Sequence, residues 1–157
     1  MNPQILSHRQ RIDTLFAKIR LISSPADQSE WSKYLCILVS GYIEESLRVL
    51  LEQYSKNHSS FHIQNFVSKE IKNITNCKTS KIETILSQFS PGWKDDFIEQ
   101  MSSKSQKSDE IKNSINSIIA NRHQIAHGKN VSLNYSSISN YYRNVKIAVD
   151  ILENIIK

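Results

Sequence analysis

The sequence predicts an all-α protein, an up-and-down helical bundle with a short helical insertion in its middle. Two observations carry this. Only three glycines and three prolines occur in 157 residues, too few breakers for a many-stranded β fold and well suited to long helices. Apolar residues recur three and four apart along most of the chain, and no segment alternates with a period of two. The length suits a single domain, residues 1–157, with a core of its own.

The elements follow in order. Pro3 sits well in a first helical turn, and Ile5, Ile12, Leu15, Phe16, Ile19 and Ile22 form one stripe to about Leu21, where Ser23-Ser24-Pro25 breaks it. Ser29 can cap a longer helix from about Glu30 to Tyr54. Its apolar residues (Trp31, Leu35, Leu38, Tyr42, Val49 and Leu50, widened by Ile37, Ile43, Leu47 and Leu51) cover so broad a face that it should be central. Glu45 interrupts the stripe between Tyr42 and Val49, and Glu44 borders Ile37, Leu47 and Leu51. Lys56–Ser60 reads as a turn, and Phe61 to Ile74 as a shorter helix. After a second turn at Asn76–Ser80 comes a fourth helix, over Ile82–Phe89, ended by Ser90-Pro91-Gly92. Trp93 to Met101 is a short fifth.

Ser108 can cap a helix whose first turn carries Asp109 and Glu110, favourable at its positive N-terminal end. It runs to about His127, where Gly128 can take the left-handed conformation that stops a helix. Asn130–Asn134 is a connector, and the last helix runs from about Ser136 to Lys157.

Composition excludes more than it selects. No apolar run approaches the roughly 18 residues needed to span a bilayer, and the N-terminal stretch has no signal-peptide core, so a cytoplasmic location is expected. Cys36 and Cys77 then read as free thiols. The net charge of +5 is compatible with a polyanionic partner without requiring one. The histidines show no HExxH pattern; His58/His62 and His123/His127 are i, i+4 pairs that could share a face, but no Cys, Asp or Glu stands at matching spacing. No metal is expected. There is no Gly-rich phosphate loop.

The stretch Ile118–Asn130 stands out. Ile111, Ile115, Ile118 and Ile125 recur at helical spacing, and Arg122 falls on their stripe. A guanidinium does not deprotonate, so burial there demands an anion, a phosphate or a subunit boundary. Alternatively, Arg122 bridges to Glu44 or Glu45 inside the bundle, His127 satisfies the last helix carbonyls, and His123 is structural. Tyr135, Tyr141 and Tyr142 could stack bases, yet such spacing more often marks core.

Arg122-His123-Gln124-Ile125-Ala126-His127-Gly128 resembles the arginine-to-histidine signature of HEPN domains, and Glu44-Glu45-Ser46-Leu47-Arg48-Val49-Leu50-Leu51 resembles the acidic helix segment of the same group. The likeness is to RiboL-PSP-type and related HEPN proteins of prokaryotic conflict systems, and it extends from about Gln10 to the end. It implies a metal-independent RNA endonuclease without cofactor, acting as a homodimer in which two motifs form one composite cleft. The implied setting is a toxin or antiviral defence effector, with an antitoxin or defence-system protein as a further partner. By the same resemblance Arg122 binds the scissile phosphate and His127 is the general acid–base. His123, Asn121 and Lys129 support the site or contact RNA. Glu44, or the adjacent Glu45, holds Arg122 or tunes the histidine. Two other readings stand beside this one: a non-catalytic HEPN bundle for RNA binding or dimerisation, and an antitoxin or scaffold that binds a protein through its apolar faces.

The chemistry is reasonable on its own terms. RNA carries its own nucleophile, the 2′-OH, so cleavage needs in-line positioning, proton transfer and stabilisation of phosphate charge. Histidine titrates near neutrality, and arginine offers a fixed fork of donors to phosphate oxygens.

Overall fold

The computed structural model describes residues 1–157. Seven helices and no strands make up the chain: α1 (Pro3–Arg20), α2 (Pro25–His58), α3 (Phe61–Ile71), α4 (Thr79–Phe89), α5 (Pro91–Lys104), α6 (Glu110–Ala126) and α7 (Tyr135–Ile155). The all-α bundle is therefore what forms. α1, α2, α6 and α7 build its body, with α2 packed against α1, α3, α6 and α7. The insertion is α3–α5: α3 lies on α2, while α4 and α5 pair and reach α6 and α7. One continuous apolar cluster runs through all of it.

The central helix is longer at both ends than its apolar pattern suggests. Ser24, not Ser29, is its cap, accepting from the Asp27 N–H at 3.3 Å, and Pro25 occupies the first turn. A proline read as a break is thus a helix start, because its missing N–H falls where none is needed. Ser29 lies inside the helix and donates to the Leu133 carbonyl at 2.9 Å, tying α2 to the connector before α7. At the other end α2 continues to His58, so His58 and His62 stand on different helices. His58 stacks on Tyr54 with ring centroids 4.4 Å apart. α5 likewise begins at Pro91, and α3 ends at Ile71, leaving Ile74 buried in the turn that follows.

At the start of α6 the cap position belongs to Asp109, in a left-handed conformation (φ 57°), rather than to Ser108. Asn134, whose side chain accepts from the Ser137 N–H at 2.8 Å, caps α7.

Three aromatic rings join α1, α2 and α7. Phe16 stacks on Tyr142 at 4.6 Å, and Tyr42 meets Tyr142 edge-on at 6.3 Å. Arg9 donates to the Tyr42 hydroxyl at 2.9 Å and pairs with Asp150, while the Tyr135 hydroxyl donates to the Phe16 carbonyl at 3.0 Å. Tyr142 is therefore committed to packing, while Tyr135 is half-buried and anchored through its hydroxyl.

α6 ends as its sequence requires. Gly128 adopts φ +67°, its N–H donates to the Ile125 carbonyl at 3.0 Å, and the Lys129 N–H donates to the Gln124 carbonyl at 3.0 Å. This double closure satisfies carbonyls that the helix leaves open. A Cβ on Gly128 would meet no atom within 4 Å, so substitution there costs only backbone energy. Gly128→Ala is expected to lower the unfolding free energy in urea by about 1 kcal/mol, and Gly128→Asn by less. An unchanged urea midpoint for the alanine variant would show that this closure contributes nothing.

Candidate functional site

The site begins with the way α6 leaves the core. Ile111, Ile115, Ile118 and Ile119 are buried, Ile125 is half-buried, and Ala120, His123, Ala126 and His127 are exposed. Arg122 sits at this transition and is half-buried. Its guanidinium does not enter the bundle. It reaches across to the connector between α3 and α4, where Nη1 donates to the Asn76 Oδ1 at 3.0 Å. The Asn76 backbone N–H in turn donates to Glu44 Oε1 at 2.7 Å, and Glu44 is only 8% exposed. Glu44, Asn76 and Arg122 thus form a relay from the buried face of the central helix to the end of α6.

Within the chain, the link from Glu44 to Arg122 runs through Asn76 rather than directly. Arg122 forms a salt bridge with neither carboxylate, so the internal ion-pair reading does not hold. The two glutamates separate cleanly. Glu45 pairs with Arg48 at 2.9 Å, and both line a cleft between α1 and α2 with His8 and Arg11. Burial, followed by the neighbouring Arg11, lowers the His8 pKa, with Glu45 opposing.

Beyond Arg122, the exposed rings of His123 and His127 meet edge to face with centroids 4.4 Å apart. His127 is the last residue before the left-handed glycine, with φ −91° and ψ 13°. Asn121 is half-buried one residue before Arg122, and Lys129 is exposed just past the turn. The chain's own fold therefore gathers Arg122, His123 and His127 within the last two turns of α6, adds Glu44 through Asn76, and leaves Glu45 outside.

Asn76 was not foreseen. Only its place in a polar turn was readable, and nothing in the local pattern shows that the turn returns to Glu44. A positive φ of 52° at a non-glycine residue is the structural sign of it.

Both cysteines lie behind the relay. Cys36 Sγ is 3.5 Å from the Ile118 carbonyl, and Cys77 follows Asn76 directly. Burial pushes each thiol up to about 12; the Arg122 backbone N–H opposes this at Cys36, and Glu44 reinforces it at Cys77. No group of three or more His, Cys, Asp or Glu side chains is placed to hold a metal ion.

Taken chemically, the end of α6 offers a tethered guanidinium that has used one of its donors, together with two solvent-facing imidazoles. That combination can grip an anion and move a proton. The chain belongs to the RiboL-PSP-HEPN family, whose model matches residues 4–157. HEPN domains are generally related to ribonucleases and often dimerise. Neither a curated protein nor a solved structure matches the chain. No helix is long and apolar enough to cross a membrane.

The buried thiols give a direct check. With both thiols pushed up to about 12 by burial, neither is appreciably ionised at pH 8. Both cysteines are expected to react with a thiol reagent only as fast as the protein opens, and both at once when it is denatured. Because the folded state keeps the proton, stability is level below the pKa of 9.0 of an ordinary thiol and falls from there toward 12. Rapid labelling of either cysteine in the native protein would contradict their burial.

Proposed function

We propose that this chain is a HEPN endoribonuclease that cleaves RNA without a metal, as a homodimer with one composite cleft. The observation that supports it most is the pairing at the end of α6 of a tethered arginine with an exposed histidine on a fixed helix stop. The domain is the whole stretch 1–157, and its setting is a toxin or antiviral defence effector in a prokaryotic cytoplasm.

Arg122 grips the scissile phosphate with the donors not engaged by Asn76 and offsets the charge that builds as the 2′-oxygen attacks. His127 accepts the 2′-OH proton while the P–O5′ bond breaks, and the 5′-oxygen takes a proton as it leaves. The products are a 2′,3′-cyclic phosphate and a 5′-hydroxyl. His123, against His127, orients the imidazole or the RNA; Asn121 and Lys129 flank the phosphate chain. Glu44 acts at one remove, by holding Asn76.

Two copies suit this chemistry better than one. His127 lies about 140° round the helix from Arg122, so within one chain the two side chains diverge. Facing copies bring an arginine and a histidine from different chains to one phosphate and supply two histidines, one to take a proton and one to give it. The exposed strip of α2 is the surface for that contact. Ile37 lines the cleft between α1 and α2 with Glu45, about two turns before Glu44, and with Trp31 and Tyr34 it leaves apolar side chains exposed along α2. An antitoxin or other defence protein would be a further partner.

In EDTA, purified protein is expected to cut RNA to 2′,3′-cyclic phosphate ends. Arg122→Ala and His127→Ala should each lower the rate by about 100-fold or more with the helical circular dichroism intact. RNA binding without cleavage by the wild type would instead favour a non-catalytic module. Ile37→Glu is expected to shift the sedimenting species from dimer to monomer and to reduce cleavage with it. A wild-type protein that sediments as a monomer at working concentration would remove the composite cleft.

A further inference from the structure

The connector between α3 and α4 is fixed far more firmly than a surface turn needs. Ile74 and Cys77 are buried on either side of its tip. Arg48 donates to the Ile74 carbonyl at 3.4 Å, and the Lys81 ammonium donates to the Thr75 carbonyl. Thr79 donates to Asn116 Oδ1 from its backbone N–H, at 3.1 Å, and from its hydroxyl, at 3.2 Å, fastening the connector to α6. At the tip, Asn76 takes φ +52° and gives its N–H to Glu44. Asparagine enters the left-handed region more readily than other side-chain-bearing residues and brings an amide on a short stem.

That amide has a determined orientation. A guanidinium has donors only, so the group facing Arg122 must be the carbonyl oxygen, as the 3.0 Å contact requires. Asn76 itself is exposed, which leaves its Nδ2 group to solvent rather than to the guanidinium. Arg122 is consequently held through Nη1 by a neutral acceptor. A carboxylate in that place would hold the guanidinium more strongly but would cancel much of its attraction for a phosphate.

We infer that Asn76 is the positioning residue for Arg122: its side chain fixes the guanidinium without neutralising it, and Glu44 sets the backbone from which it does so. This rests on the endoribonuclease reading for its catalytic consequence, though not for the positioning itself.

Two variants and two readouts test it. Asn76→Gly keeps the left-handed backbone and removes the amide. Asn76→Asp keeps the backbone and an acceptor but adds a charge. In side-chain nitrogen spectra, with Arg122→Lys to assign the signal, the Arg122 guanidinium should show slowed rotation in the wild type, lose it in Asn76→Gly and regain it in Asn76→Asp. In RNA cleavage, Asn76→Gly should lower kcat about tenfold, as a misplaced group does, with thermal unfolding little changed. Asn76→Asp should restore the order of the guanidinium yet leave kcat/KM low, because the added carboxylate offsets the charge that Arg122 presents to the phosphate in the ground and transition states alike. If Asn76→Gly leaves the guanidinium as ordered as the wild type, or disorders it with kcat unchanged, Asn76 is not the positioning residue. If the wild type cuts no RNA at all, the endoribonuclease reading falls, and the spectra alone still decide whether Asn76 holds Arg122.

Discussion

The burial of the middle of α2, Val39–Leu51, on almost every side is the constraint from which the rest follows. At 34 residues the whole helix is about 50 Å long, and α1, α3, α6 and α7 all lean on it. A helix so placed has little room for a charged residue, yet Glu44 is there with 8% of its surface exposed. An unpartnered carboxylate in that position would cost several kcal/mol. The Asn76 N–H offers the needed donor, which obliges the chain between α3 and α4 to return to the middle of α2. That return is what brings a side-chain amide within reach of α6. A solvation requirement in the core thus reaches the surface as the placement of an arginine.

The opposite flank of α2 is built for rigidity. Burial alone would make the Arg9 guanidinium easier to deprotonate, but Asp150 and Tyr42 outweigh it and raise its pKa. The hydroxyl of Tyr142 donates to the Arg9 carbonyl at 3.3 Å, and burial raises that phenol's pKa as well. Three helices therefore meet through a charge-assisted hydrogen bond and stacked rings. α7 is fixed against α1 and α2, and α6 packs on α7. The helix that carries Arg122 is held from both sides.

Much of this was legible in the residues. The paucity of glycine and proline, together with the 3.6-residue stripes, was enough for seven helices in order, including the central place of α2. Gly128 announced its own helix stop because left-handed backbone strongly favours glycine. Prolines misled at Pro25 and Pro91, since the same ring that ends one helix can open the next. Arg122 and His127 were visible as a spacing on one helix. The part that was not legible is tertiary: Glu44 and Glu45 are neighbours in sequence and differ by about 100° in azimuth. Only the path of the connector decides which of them meets Asn76. No local pattern encodes that path.

The double closure at Gly128 has a consequence for the spacing itself. Because the helix is terminated at a particular residue, the distance from Arg122 to the end of α6 is counted from a fixed stop, as on a ruler. One residue added between arginine and histidine would turn the imidazole by about 100° and advance it by about 1.5 Å. The glycine, and the helix stop with it, would move on by the same step, so the error would fall on the aim of the histidine relative to the arginine rather than on the closure. The motif's interval is thus a mechanical length set by the helix period, and the histidine is aimed by its count of residues from the arginine.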